Sequence, residues 1–175
     1  MGPPLRRALM TKEQRAEDEW SAMLRTAREV SEKAYAPYSH LRVAAVLRGK
    51  EGRDYPGCNV ENSSFGLTIC AEQAAVSRAL VEGDAEWSRL LIYTPDSGPL
   101  SPCGACRQVL AEFCRELPIL SVGRGGLRRE MNLRELLPQP FAWPSADPEG
   151  PQRGPEGPAG NDVTQSEEEV GGDTR

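Results

Sequence analysis

Cys70-Ala71-Glu72 and Pro102-Cys103-Gly104-Ala105-Cys106 are the stretches of this chain whose residue types suit a metal site. Cys103 and Cys106 stand one helical turn apart, so both sulfurs can meet one ion, and Cys70 offers a third thiolate from a separate segment. Zn²⁺ takes thiolate ligands in tetrahedral geometry, and a catalytic site keeps its fourth position for water. Glu72 follows the first ligand by two residues, close to the metal but not bound to it. The pattern reads as one zinc ion per chain on Cys70, Cys103 and Cys106, with Glu72 as the proton-transfer group. A C-x-x-C alone also fits a redox pair or half of a structural four-ligand site. The third cysteine, the carboxylate and Pro102 fit a catalytic site and are surplus to those alternatives. His40 and Cys58 are the nearest candidates for a fourth protein ligand.

The elements around these residues must bring them together. Thr11 and Gln14 have capping-box spacing, and Trp20, Met23, Leu24, Ala27, Val30 and Ala34 recur behind them at helical spacing. This predicts a core-packing helix that stops before Pro37. Tyr35 to His40 is a rigid loop, and its histidine, the only one in the chain, reads as a hydrogen-bonded loop residue. Leu41–Leu47 and Asp54–Val60 flank a turn at Gly49-Lys50-Glu51-Gly52 and form a β-hairpin. Asn59 and Glu61 share one face of an extended segment. An amide and a carboxylate aimed together suit a vicinal or sugar hydroxyl, or else the internal bonds of a polar turn.

Cys70 opens a helix to about Glu82, with Gly83 as its stop. Arg89–Thr94 is a strand, and the loop after it leads to a second helix from Cys103 to about Cys114. Ile119–Val122 and Leu127–Met131 are strands around the turn Arg124-Gly125-Gly126, and Leu133–Leu137 is a helical turn ended by Pro138. Alternating strands and helices predict an α/β sandwich. Both ligand segments begin helices, whose N-termini, each carrying roughly half a positive charge, offset the negative charge of three thiolates.

The chain of 175 residues suits one domain with a sizeable core. Its net charge of −5 is uneven: residues 144–175 hold eight acids and two bases, leaving residues 1–143 near neutral at +1. That body lacks the basic excess that nucleic-acid binding requires. The five cysteines are an odd number, and neither a secretory apolar stretch nor a membrane-length apolar run accompanies them. A reduced, cytoplasmic setting is expected, where closely spaced cysteines favour metal over disulfide. Beyond Trp143 the chain turns to Pro, Gly and acids with few large apolar residues. It divides into a folded domain, residues 1–143, and an acidic tail, residues 144–175, expected to be disordered.

Four segments together resemble the small zinc-dependent cytidine deaminases: Tyr35-Ala36-Pro37-Tyr38-Ser39-His40, Gly57-Cys58-Asn59-Val60-Glu61-Asn62, Cys70-Ala71-Glu72 and Ser101-Pro102-Cys103-Gly104-Ala105-Cys106-Arg107-Gln108. The central pair matches the C-x-E and P-C-x-x-C form of the zinc nucleobase-deaminase signature. Glu135-Leu136-Leu137-Pro138 with Phe141 is similar to that family's C-terminal end. The resemblance implies a three-layer α-β-α sandwich around a mixed five-stranded sheet, assembled as a homotetramer with shared active sites. It implies hydrolytic deamination of cytidine and 2′-deoxycytidine in pyrimidine salvage, with Glu72 moving a proton from water to N3 and then to the departing amine. It puts Asn59 and Glu61 on the ribose 3′-hydroxyl, Ala71 on the pyrimidine edge, and Phe65 and Phe141 in a neighbouring subunit's site. Leu41 stands where the family often has a base-packing Phe, and Gln73 where many relatives have Arg beside the thiolates. Competing readings are a deaminase of a modified cytosine nucleoside or antibiotic, which a substrate panel separates, and a non-enzymatic zinc-stabilised interaction module. The latter has no use for Glu72.

Overall fold

The computed structural model describes residues 10–142. The expected boundary after residue 143 and the acidic tail lie outside the described residues. Helix α1, Lys12–Ser31, starts at the predicted capping box: Thr11 accepts from the Gln14 amide and Gln14 accepts from the Thr11 amide. It ends at Ser31, before Ala34, which the helical stripe had included. The hairpin strands are β1, Ala44–Gly49, and β2, Asp54–Cys58. Helix α2, Ala71–Val81, leads to β3, Trp87–Tyr93. Helix α3, Gly104–Ala111, leads to β4, Pro118–Val122. Then come β5, Arg128–Asn132, and the single turn α4, Leu133–Leu136.

The five strands form one mixed sheet in the order β2-β1-β3-β4-β5. Only β3 and β4 are parallel neighbours, joined through α3; the other pairs are antiparallel. Alternation along the strands builds two cores, because successive side chains point to opposite faces. Ala45, Leu47, Leu90, Ile92 and Ile119 pack with Ala71, Ala75 and Ala79 of α2 and Leu110 of α3. Ala44, Val46, Leu91, Leu120 and Val122 pack with Met23 and Ala27 of α1. The sheet therefore lies between α1 on one face and the other helices on the opposite face, the expected three-layer sandwich.

Strand β1 starts three residues later than predicted. The backbone amides at 42 and 43 are taken by side chains, Arg42 N–H by Asp96 at 2.9 Å and Val43 N–H by Asn59 at 2.9 Å, which draws them out of the ladder. Strand β2 stops at Cys58, but the chain continues extended: Val60 and Ile69 exchange backbone hydrogen bonds of 3.0 Å. On its other side this segment is held through Tyr35 N–H to Asn59 O, 3.0 Å, and Glu61 N–H to Tyr35 O, 2.8 Å. A three-ribbon seam thus places Asn59 and Glu61 directly beside the approach to Cys70.

Candidate metal and catalytic site

Both ligand segments leave the carboxyl ends of strands on the same side of the sheet, where α/β folds place their ligand crevices. Cys70 is the N-cap of α2 and Cys103 the N-cap of α3. Cys103 Sγ accepts the Cys106 amide at 3.4 Å, doing for α3 what a Ser or Asp oxygen does at most helix starts. The Cys70 amide is capped by the Gln73 side chain at 3.3 Å. Gly57 sets how closely β2 meets α2. A Cβ there would lie 2.5 Å from both Ala71 O and Ala75 N, so only glycine lets the strand reach the helix's first turn.

The three sulfurs converge as predicted. Cys70 and Cys103 Sγ are 3.9 Å apart, Cys103 and Cys106 Sγ 3.4 Å, and all three lie within 4.8 Å of one another. Thiolates about 2.3 Å from a tetrahedral zinc lie roughly 3.8 Å apart, so the donor set fits that ion. Among the described residues no histidine, aspartate, glutamate or further cysteine joins the cluster, so His40 and Cys58 are not fourth ligands. A three-thiolate site leaves the fourth position that catalysis needs.

The electrostatics call for a cation. A hydrogen bond from Cys106 draws the Cys70 thiol down to about 7, against burial and the nearby Glu72 charge. Cys106 is driven the other way, first by giving that hydrogen bond and then by burial. One sulfur ionises at its neighbour's expense, and a divalent metal would favour all three as thiolates, the form that binds metal. Glu72, at the second position of α2, is 7% exposed, and burial is the main cause that raises its carboxyl above the ordinary range. A buried carboxyl of raised pKa suits a group that must both take and give a proton.

The remaining predicted residues differ in burial and bonding. Asn59 is buried and spends its amide on the loop, accepting from Val43 and donating to Leu41 O at 2.9 Å each. Glu61 accepts from the Tyr38 amide at 2.8 Å, the Ser39 amide at 3.3 Å and the Ser39 hydroxyl. These bonds hold its carboxyl below the ordinary range, the Ser39 side chain contributing most. Leu41 is half-buried, and Ala71 is 1% exposed at the start of α2. Phe65 and Phe141 stand apart from the enclosed cluster, 73% and 67% exposed.

Three supports were not legible in the sequence. Arg42 grips Asp96 through Nε and a terminal nitrogen, both at 3.1 Å, tying the Leu41 loop to the loop that leads to Cys103. Arg107 binds Pro102 O at 2.8 Å, Ser101 Oγ at 3.0 Å and Leu136 O at 3.1 Å, fixing the ligand loop against α4. Gln108 pairs with the backbone of Phe141. These contacts span 54, 29 and 33 residues, and no local pattern announces them. Gly57 alone had a signal, a glycine inside a strand pattern.

A three-layer α/β sandwich with a three-cysteine metal cluster and a buried carboxylate at one helix start defines a class, the zinc-dependent hydrolytic deaminase fold. The family described as "Cytidine and deoxycytidylate deaminase zinc-binding region" matches residues 17–120, which include all three cysteines and Glu72. Cytidine deaminase of Sporosarcina psychrophila is 39% identical over 121 residues, covering 69% of this chain and 89% of that protein. Cytidine deaminase of Halalkalibacterium halodurans is 39% identical over 120 residues, 68% of this chain and 91% of that protein. The crystal structure of cytidine deaminase from Burkholderia pseudomallei superposes with a TM-score of 0.65 at 38% identity, covering 75% of this chain and all of that one. That from Mycobacterium tuberculosis gives 0.61 at 38% identity, covering 71% and 98%. The chain belongs to the cytidine and deoxycytidylate deaminase family.

Proposed function

We propose that this protein deaminates cytidine and 2′-deoxycytidine hydrolytically, giving uridine or 2′-deoxyuridine and ammonia, as a step of pyrimidine salvage. The observation that carries the reading is the cluster of Cys70, Cys103 and Cys106 with buried Glu72 one helix position past Ala71. The three cysteines would hold one zinc per chain, which when bound makes water acidic enough to react near neutral pH. Glu72 takes a proton from the attacking water and passes it to N3 of the cytosine ring as the water oxygen bonds to C4; it then carries the remaining hydroxyl proton to the amine, so that the C4–N bond breaks, ammonia leaves and the C4 carbonyl forms. The Ala71 backbone and Glu72 read the pyrimidine edge, and Leu41 supplies an apolar wall for the base. Asn59 and Glu61 take the ribose 3′-hydroxyl from the seam beside Cys70. Hydrogen-bonded anchors keep both side chains oriented before substrate arrives, which lowers the ordering cost of binding.

The working unit is a homotetramer whose sites are shared. Phe65, Leu67 and Ile69 are exposed on one segment, and the Phe65 ring meets Tyr38 edge-on at 5.7 Å. Such an apolar patch supports an interface with a second copy. Among the described residues no helix is long and apolar enough to cross a membrane. The unpaired thiolate site suits the reducing cytoplasm, and the catalytic unit is residues 1–143. Ammonia release from cytidine, deoxycytidine, cytosine and adenosine by zinc-loaded protein tests the activity. Release from the two nucleosides of cytosine is expected, and no turnover of either would overturn it. Sedimentation at assay concentration tests the assembly, which a fully active monomer would rule out.

A further inference from the structure

Ser39 is an exposed residue of the loop that returns the chain from the Tyr35 seam to Leu41. The loop starts where Tyr35 is bonded through both its amide and its carbonyl to the Asn59–Glu61 segment. His40 turns it with a left-handed backbone, φ 56°, and the His40 amide reaches Ala36 O at 3.1 Å. This tight return sets the Ser39 hydroxyl between two residues assigned to the nucleoside. It donates to Glu61 Oε1 and accepts from the Leu41 amide at 3.1 Å. Glu61 Oε2 accepts from the Tyr38 amide at 2.8 Å and the Ser39 amide at 3.3 Å. An ionised carboxylate offers about four acceptor positions. The loop fills three of them, two through Ser39, which leaves one on Oε1. The Ser39 side chain is also the largest cause that holds the Glu61 carboxyl below its ordinary range, and so charged. Leu41 is fixed from its other side by the Asn59 amide on its carbonyl at 2.9 Å. One hydroxyl oxygen thus joins the carboxylate assigned to the sugar with the side chain assigned to the base.

We propose that Ser39 is a positioning residue: its hydroxyl fixes the Glu61 carboxylate against Leu41, so that the remaining acceptor position on Oε1 takes the ribose 3′-hydroxyl while the base rests on Leu41. The inference rests on the reading above that puts Asn59 and Glu61 on that hydroxyl. It adds the residue that orients the carboxylate and ties recognition of the sugar to packing of the base. Ser39 acts through Glu61, so its loss relaxes selection for the hydroxyl and leaves zinc binding and the proton transfers at Glu72 alone.

The test uses the full-length zinc-loaded protein and the variants Ser39→Ala, Ser39→Thr, Glu61→Ala and Ser39→Ala with Glu61→Ala. For each, kcat/KM is measured with cytidine and with 3′-deoxycytidine, which lacks the hydroxyl in question, and zinc content is determined. A site that bonds a substrate hydroxyl prefers the substrate that carries it. Ser39→Ala should shrink the preference for cytidine about three- to tenfold, the scale of one hydrogen bond, with zinc and turnover of 3′-deoxycytidine unchanged. Calorimetry should show the same loss for uridine and none for 3′-deoxyuridine. Ser39→Thr keeps the hydroxyl and should keep the preference. The double variant should discriminate no less than Glu61→Ala, because both changes act on one carboxylate. Equal losses on both substrates overturn the role, since a loop that is merely loosened does not tell them apart. A Thr variant as impaired as the Ala variant overturns it as well. An unchanged preference in Ser39→Ala beside a reduced one in Glu61→Ala overturns the positioning role and spares the ribose reading. An unchanged preference in Glu61→Ala overturns the ribose reading itself, and the positioning role with it.

Discussion

At the scale of the residue, one carboxyl and three sulfurs define the chemistry, and their environment decides their roles. Glu72 would be an ordinary surface carboxylate anywhere on an exposed helix. Seven per cent exposed beside the sulfurs, its carboxyl is raised above the ordinary range, chiefly by burial, which eases its holding a proton. Positioned general acid–base groups contribute about 10²–10⁴-fold, and in the proposed reaction one side chain would move every proton. Glu72→Gln is therefore expected to keep zinc and fold but lose at least about 100-fold in kcat. Metal analysis alongside turnover checks this, and near-normal activity would refute the role. Cys103→Ala removes a ligand and the cap of α3 together. Zinc content should fall well below one per chain, and retained stoichiometric zinc would sink the ligand assignment.

Among the elements, two close approaches aim the ligands. Strand β2 passes so near α2 that Gly57 admits no Cβ, and a methyl there would meet backbone that cannot swing aside. Overpacking costs typically about 1–3 kcal/mol. Gly57→Ala should lower the thermal midpoint and, because Ala71 is the atom group displaced, reduce zinc affinity as well. Calorimetry and competition with a chelator measure the two effects, and an unchanged midpoint would show that the contact has slack. The second approach joins loops by charge. Hydrogen bonds from Arg42, side chain first and backbone next, hold the Asp96 carboxyl below its ordinary value. A depressed carboxyl adds stability above its unfolded pKa, about 3.9, and loses it as pH falls through the folded value. The unaltered protein should lose this contribution only below about pH 4. Asp96→Asn should be less stable at neutral pH and flatter on the acid side, as midpoints across a pH series will read. Equal acid slopes for the two proteins would remove Asp96 from that role.

For the whole molecule, a metal held by the three cysteines would link the two halves of the site. Cys70 comes from the β2 side of the sheet and Cys103 and Cys106 from the crossover between β3 and β4. A ligand that binds only the folded state stabilises it by mass action, about 4 kcal/mol at a thousandfold excess over Kd. Chelation should therefore lower the thermal midpoint, and zinc restored to the apo protein should recover it together with activity. A midpoint indifferent to chelator would mean that the sulfurs contribute nothing to holding those segments together.

The local patterns carried much of this unaided. Cys70 and the C-x-x-C indicated a metal cluster because zinc restricts both ligand type and spacing. The capping box at Thr11 and Gln14 placed the start of α1, since it is made entirely of near neighbours in sequence. The apolar runs within Leu41–Leu47 and Arg89–Thr94 indicated strands but not which helices would cover each face. The tertiary structure alone decided what rests on distant partners. The late start of β1 depends on Asn59 and Asp96 reaching back to residues 42 and 43, and the ligand loop's anchor depends on Arg107 meeting Leu136. The meeting of three sulfurs within 4.8 Å depends on a sheet order that puts β3 between β1 and β4. Spacing encodes what one segment can do by itself, because backbone geometry repeats over a few residues. Contacts across 29 to 54 residues follow only when the whole chain has packed its two cores.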